Sequence, residues 1–146
     1  MIDLSDRVGQ ELGVGEWMEV AQARVDAFAD ATDDHQWIHE AGDRAAAGPF
    51  GGPIAHGFLT LSLLTPLTTG ILRPHTEGAR MAINYGLDRV RFITPVRVGS
   101  RLRGRVRLVE ATAFDGGIQA KVEVTVEIED VQRPAMVAEN LVRFYL

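Results

Sequence analysis

An aspartate and a histidine five residues apart, Asp34 and His39, stand just ahead of the glycine-rich run Gly48-Pro49-Phe50-Gly51-Gly52-Pro53-Ile54-Ala55-His56-Gly57. The two side chains are a candidate proton-transfer pair, because a turn between them would bring both to one shared water. Pro53 suits the first turn of a helix and Gly52 its N-cap. Gly57, read in the first turn of the apolar helix, has an N–H without an intrahelical partner, inside the positive end of the helix dipole. A bare N–H there can meet negative charge growing on a carbonyl oxygen. A proton-transfer pair followed by such a donor is the equipment for adding water across a double bond beside a carbonyl.

Each part also has a plainer reading. Asp34 can cap the preceding helix, His39 can face solvent, and Gly57 can serve close packing alone. Their order in one stretch is what favours the chemistry. For His56 a buried ring satisfied by a backbone carbonyl is the better expectation. His35 and His39 have the spacing of a zinc helix, but the glutamate such a site needs between them is missing and Gln36 stands there, so no metal is expected. Alternating Arg101, Arg103, Arg105 and Arg107 could hold phosphates, yet pairing with Glu123 and Glu127 on a neighbouring strand is the simpler use. Asn84, Tyr85 and Arg91, on a strand that can pass the site, are candidate substrate-binding residues.

The elements that must position these groups follow from periodicity. Residues 16–20 read as a short strand. Residues 22–32 read as a helix with Val25, Phe28, Ala29 and Thr32 on one apolar stripe, delivering the chain to Asp34. Residues 33–53 lose periodicity except for one helical turn at the alanines 45–47, and long irregular stretches often carry function. From Pro53 a helix apolar on nearly every face is expected, kinked by Pro66 and stopped at Gly70. The second half alternates with period two: strands at residues 81–93, bent at Gly86, at 101–108, at 121–128 and at 135–145. Asp115-Gly116-Gly117 is a hairpin turn and residues 131–134 supply the last one. Helices first and antiparallel strands after signal an α+β fold with a sheet around a buried helix.

Bulk properties narrow the options. At 146 residues, 46% hydrophobic and 24% charged, the chain is expected to be a single domain over residues 1–146 with a real core. A net charge of -5 argues against nucleic acid as a partner. The absence of cysteine removes disulfides, thiolate catalysis and cysteine-ligated zinc. Residues 1–7 lack a basic stretch followed by an apolar one, and the apolar helix is interrupted by His56, Gly57, Pro66 and four threonines. Neither export nor a membrane partner is expected, and the location expected is cytoplasmic.

Phe28-Ala29-Asp30-Ala31-Thr32-Asp33-Asp34-His35-Gln36-Trp37-Ile38-His39, then Ala45-Ala46-Ala47 and the glycine-rich run to Phe58, resemble the MaoC-like dehydratase family, in particular its NodN-like single-domain group. The resemblance extends through Ile83-Asn84-Tyr85-Gly86-Leu87-Asp88-Arg89-Val90-Arg91-Phe92 and covers nearly the whole chain. It implies a hot-dog fold, a homodimer with active sites at the subunit interface, and (R)-specific hydration of a trans-2-enoyl-CoA thioester without metal or redox cofactor. It assigns Asp34 and His39 as the catalytic pair, the Gly57 N–H as donor to the thioester oxygen, and Thr65 as a hydroxyl near the site. Two positions depart from the family pattern. Asp33 stands where glycine is common, and a carboxylate facing the pocket there would raise an aspartate pKa. Gln36 and Trp37 stand where asparagine and proline are usual. An acyl-CoA thioesterase and a non-catalytic acyl-binding module are the alternatives on the same fold.

Overall fold

The alternating half of the sequence folds into one antiparallel sheet. The computed structural model describes residues 2–146. Its strands are β1 (Glu11–Val14), β2 (Met18–Glu19), β3 (Met81–Phe92), β4 (Arg101–Phe114), β5 (Gly117–Ile128) and β6 (Met136–Tyr145). They lie in the order β1-β4-β5-β6-β3, with β2 also paired to β4. Asp115 and Gly116 turn β4 into β5, Gly116 at a φ of 90° that suits a residue without Cβ. Among the described residues β3 pairs with β6 alone, so its other side is a free edge.

Alternation sorts the side chains by face. Leu102, Val106, Leu108, Val122, Val124, Val126, Met136 and Ala138 are buried on one face, where the helical segment packs. On the other, Arg103 stands in register with Glu127, and Arg107 with Glu123. Their ion pairs measure 2.6 and 3.2 Å, and Arg105 bridges Glu127 and Glu11 at 2.9 Å each. The cationic strand is therefore engaged by carboxylates. Burial pushes the Glu127 carboxyl up, but hydrogen bonds from Arg103 and Arg105 outweigh that and leave it below the ordinary 4.5.

The helices are α1 (Gln22–Thr32), the single turn α2 (Asp43–Ala46), α3 (Gly57–Ser62) and α4 (Leu64–Leu72). α3 and α4 are one apolar segment broken at Leu63, where Pro66 leaves the Ser62 carbonyl without a donor and its ring crowds that carbonyl. Leu59, Leu63, Leu64, Leu67 and Ile71 join the sheet core. A Cβ on Gly104 would stand 2.9 Å from the Leu67 carbonyl oxygen, so glycine in β4 allows α4 this close. This is the α+β arrangement of a hot-dog fold.

Several boundaries differ from expectation. The apolar helix starts at Gly57 with His56 as N-cap, not at Pro53, because the intervening backbone is already bonded elsewhere. The Ile54 N–H donates to the Ile38 carbonyl at 2.9 Å, the Ala55 N–H to Val96 at 2.7 Å, and Ile54 bridges Arg97. Its end lies beyond Gly70, at Leu72, followed by a 3-10 turn at Arg73–His75. β1 was not expected at all: Leu12 and Gly13 give four residues too little alternation to read. Among the described residues no helix is long and apolar enough to cross a membrane.

Candidate active site

α1 positions the first acidic group. Val25 and Ala29 anchor it, and Asp33 closes it in the left-handed conformation at φ 58° and ψ 25°. A helix ends this way most readily on glycine, and aspartate is among the few other residues that tolerate it. The departure at residue 33 thus sits where backbone geometry, not charge, sets the preference. Asp33 is exposed. The chain turns at once, and Asp34 follows with its carboxylate exposed and free of hydrogen bonds from the described residues.

A 3-10 turn at Trp37–His39 then carries His39 inward to 6% exposure. Its backbone N–H donates to Gln36, and Gln22 of α1 donates to its carbonyl at 2.9 Å. The ring Nδ1 lies 2.8 Å from the Ile54 carbonyl oxygen. A carbonyl only accepts, so Nδ1 carries a proton, and in the neutral ring Nε2 is the nitrogen that presents a lone pair. Because the Ile54 N–H donates to Ile38, the segment ahead of Gly57 and the segment bearing His39 clamp each other in both directions.

His56, 2% exposed, completes the group. Its Nε2–H donates to the Asp34 backbone carbonyl at 3.0 Å, and its ring stacks on His39 with centroids 3.7 Å apart and planes 23° apart. Phe28 of α1 approaches the same ring at 4.9 Å. One carboxylate oxygen of Asp34 and one ring nitrogen each of His39 and His56 lie within 4.8 Å of one another. A single water can reach across such a gap. His56 was expected to be a satisfied core histidine, and half of that holds. Nε2 is satisfied, whereas the buried Nδ1 has no partner among the described residues. Its place directly before Gly57 was the only signal in the sequence of a nearer role.

The same three residues are the group that could hold a metal. The stacking works against it: two rings so nearly parallel hold their in-plane lone pairs in nearly parallel planes, a poor match to the convergent ligands of a tetrahedral ion. His35 lies outside the group, exposed and 3.6 Å from Asp30.

Gly57 is the first residue of α3, and its N–H has no protein acceptor among the described residues. A Cβ there would stand 3.3 Å from the Phe92 ring. Gly57, Thr60, Phe92 and Val96 line a cavity of about 280 Å³. Of the remaining candidates, Asn84 Nδ2 donates to Thr65 Oγ1 at 3.4 Å, which places those two together farther along the helix. The Tyr85 ring instead lies 3.6 Å beneath the Arg143 guanidinium. Arg91 lines a groove with Glu123 and Glu139, and its Nη1 donates to the neighbouring Val90 carbonyl. Tyr85 also lines the cavity that Leu61, Thr65 and Asn84 share.

Comparison with known proteins agrees with this architecture. The sequence pattern of the MaoC like domain matches residues 3–132. The chain is 49% identical over 143 residues to 3-hydroxyacyl-thioester dehydratase Z of Mycobacterium tuberculosis, covering 97% of this chain and 93% of that protein. It is 52% identical over 141 residues to Nodulation protein N of Rhizobium leguminosarum bv. viciae, covering 94% and 86%. Among solved structures it resembles the (R)-hydratase from A. caviae involved in PHA biosynthesis, with a TM-score of 0.75, 25% identity, and coverage of 97% and 99%. The activity that the dehydratase and hydratase names share is that of a hydro-lyase. On the match across most of its length and on these relatives, the chain belongs to the MaoC-like dehydratase family.

Proposed function

We propose that this protein is an (R)-specific enoyl-CoA hydratase, adding water reversibly to a trans-2-enoyl-CoA to give the (3R)-3-hydroxyacyl-CoA. The observation that carries the reading is the Asp34 carboxylate beside the His39 ring, within 4.8 Å, on a segment clamped to the one that ends in the Gly57 N–H, which has no acceptor among the described residues. Water is held between the Asp34 carboxylate and the His39 Nε2 lone pair. As its oxygen attacks C3, one of the two takes its proton, and the electron pair of the double bond moves towards the thioester oxygen. The Gly57 N–H donates to that oxygen as charge develops. The proton then passes to C2, so the sum is one water added and no group left over. The reaction needs no metal or redox cofactor. The (3R) outcome is supported by the likeness to the A. caviae (R)-hydratase.

The working unit in this proposal is a cytoplasmic homodimer. Its support is the free edge of β3, which exposes Met81, Ile83, Tyr85, Leu87 and Phe92, more apolar side chain than a solvated edge strand normally carries. Tyr85 and Arg91 keep the substrate-binding part expected of them, on strand β3 beyond the reacting atoms.

Crotonyl-CoA tests the reaction directly. Hydration removes the conjugated enoyl absorbance without releasing thiol, and Asp34→Asn is expected to lower kcat by roughly 10²- to 10⁴-fold while the far-UV spectrum stays native. Thiol release without loss of the double bond would make the protein a thioesterase. Binding of the thioester with no turnover would make it an acyl-binding module.

A further inference from the structure

The broken helix and β3 leave three cavities between them, of about 280, 250 and 320 Å³. They follow the helix in order. Gly57 and Thr60 line the first, Leu61 and Leu64 the second, Thr68 and Thr69 the third. The second and third share one piece of wall, made of Thr65, Asn84 and Asn140.

That wall is polar where the fold calls for apolar residues. Along β6 the inward positions are Met136, Ala138, Asn140, Val142 and Phe144, so alternation would place a valine or leucine at 140. Asn140 is 6% exposed, and its one hydrogen bond, from Nδ2 to Asn84 Oδ1, is stretched to 3.5 Å. Asn84 in turn reaches Thr65 Oγ1 at 3.4 Å. Both lengths exceed the usual range, and Asn140 Oδ1 accepts no hydrogen bond from the described residues. The oxygen is not shut away from solvent as the unpartnered His56 Nδ1 is, so it opens into the cavity, where water or a polar group of a ligand can complete its bonds.

We infer that Thr65, Asn84 and Asn140 form a hydrogen-bonding subsite for the far end of the acyl group, and that the preferred thioesters carry a neutral oxygen function, a hydroxyl or keto group, on the acyl tail. The placement of the thioester rests on the hydratase reading above. With the thioester oxygen at the Gly57 N–H, Thr65 lies eight residues on, just past the break at Leu63, and at helical rise that is roughly 12 Å, which suits a tail of roughly ten carbons. The subsite itself holds no charge. Carboxamides and a hydroxyl offer both donors and acceptors, which suits a hydroxyl or ketone, whereas a carboxylate would be drawn to Arg73 and Arg80, both exposed on the lining of the third cavity.

The test compares trans-2-decenoyl-CoA with its ω-hydroxylated counterpart, by turnover and by calorimetric binding of the saturated pair. Wild type is expected to favour the hydroxylated tail at least tenfold in kcat/KM and in Kd. That ratio is expected to fall towards one in Asn140→Leu and, should that variant fail to fold, in Thr65→Val. Equal use of the two tails by wild type, or a preference that survives in both variants, overturns the subsite. A stronger preference for an ω-carboxylated tail also overturns it, because recognition would then belong to the arginines. Hydration of crotonyl-CoA by wild type, whose acyl group ends short of Asn140, checks the hydratase reading separately. If that hydration is absent, the binding ratio still decides the subsite.

Discussion

The side chain that binds the site together makes no proton transfer in the proposed reaction. His56 donates to the Asp34 carbonyl, stacks on His39 and directly precedes Gly57, so one imidazole touches the chain at all three working positions. It is a positioning residue, and His56→Phe separates that role from packing. Phenylalanine keeps a flat ring against His39 and Phe28 but cannot hold the Asp34 carbonyl. The expected result is a native fold and a kcat on crotonyl-CoA lower by roughly tenfold or more, the value of one buried hydrogen bond, with little change in KM. An unchanged kcat would show that the bond does not orient Asp34. Residue types alone singled out Asp34, His39 and Gly57, because an acid, an imidazole and a glycine at a helix start carry their chemistry in their identity. They could not single out His56, whose part depends on a stack and a carbonyl that only the folded chain supplies. The same limit applied to Asp33: its charge was visible and its left-handed backbone was not.

Elements were legible where one period governs many residues. β3, β6 and α1 matched to within a residue because alternation or the apolar stripe repeats over ten or more positions, whereas β4 and β5 run on past the expected 101–108 and 121–128 to meet at the Asp115-Gly116 turn, where the charge alternation fades. The start of the apolar helix was misplaced because Ile54 and Ala55, which suit a helix by type, spend their N–H groups on Ile38 and Val96. No local pattern encodes that choice. The Arg–Glu ladder joining β4 and β5 was legible from opposite alternating charges, and it makes stability depend on acid. The folded Glu127 carboxyl titrates below the ordinary 4.5, so on acidification the unfolded chain takes up its proton first. Its contribution is full above 4.5 and is lost as pH falls through the lower folded value. Urea midpoints measured from about pH 5 down to about pH 3 are expected to drop, and Glu127→Gln is expected to start lower and show a shallower drop. Identical slopes would mean that the ladder adds no acid-side stability.

For the molecule as a whole, the order of strands leaves β3 with an unpaired edge of twelve residues, and β3 also lines the second and third cavities. Natural sheets shorten such an edge, charge it or cover it. Here Asp88, Arg89 and Arg91 charge one end, while Met81, Ile83, Tyr85 and Leu87 remain exposed at the other, and Phe58 on the helix is 70% exposed beside Phe92. A second copy set against this edge would bury those side chains on both chains at once, as a two-fold contact requires. It would also cover the cavities that β3 lines between Gly57 and Asn140. Light scattering is therefore expected to give twice the 16.0 kDa of the chain. Ile83→Lys, which places a charge in the contact and touches neither Asp34 nor His39, is expected to give the monomer mass. If the cavities need that cover, that variant also loses turnover of long enoyl-CoA substrates. A wild-type protein that is monomeric and fully active would show that β3 is tolerated as an open edge and that the site is complete within one chain.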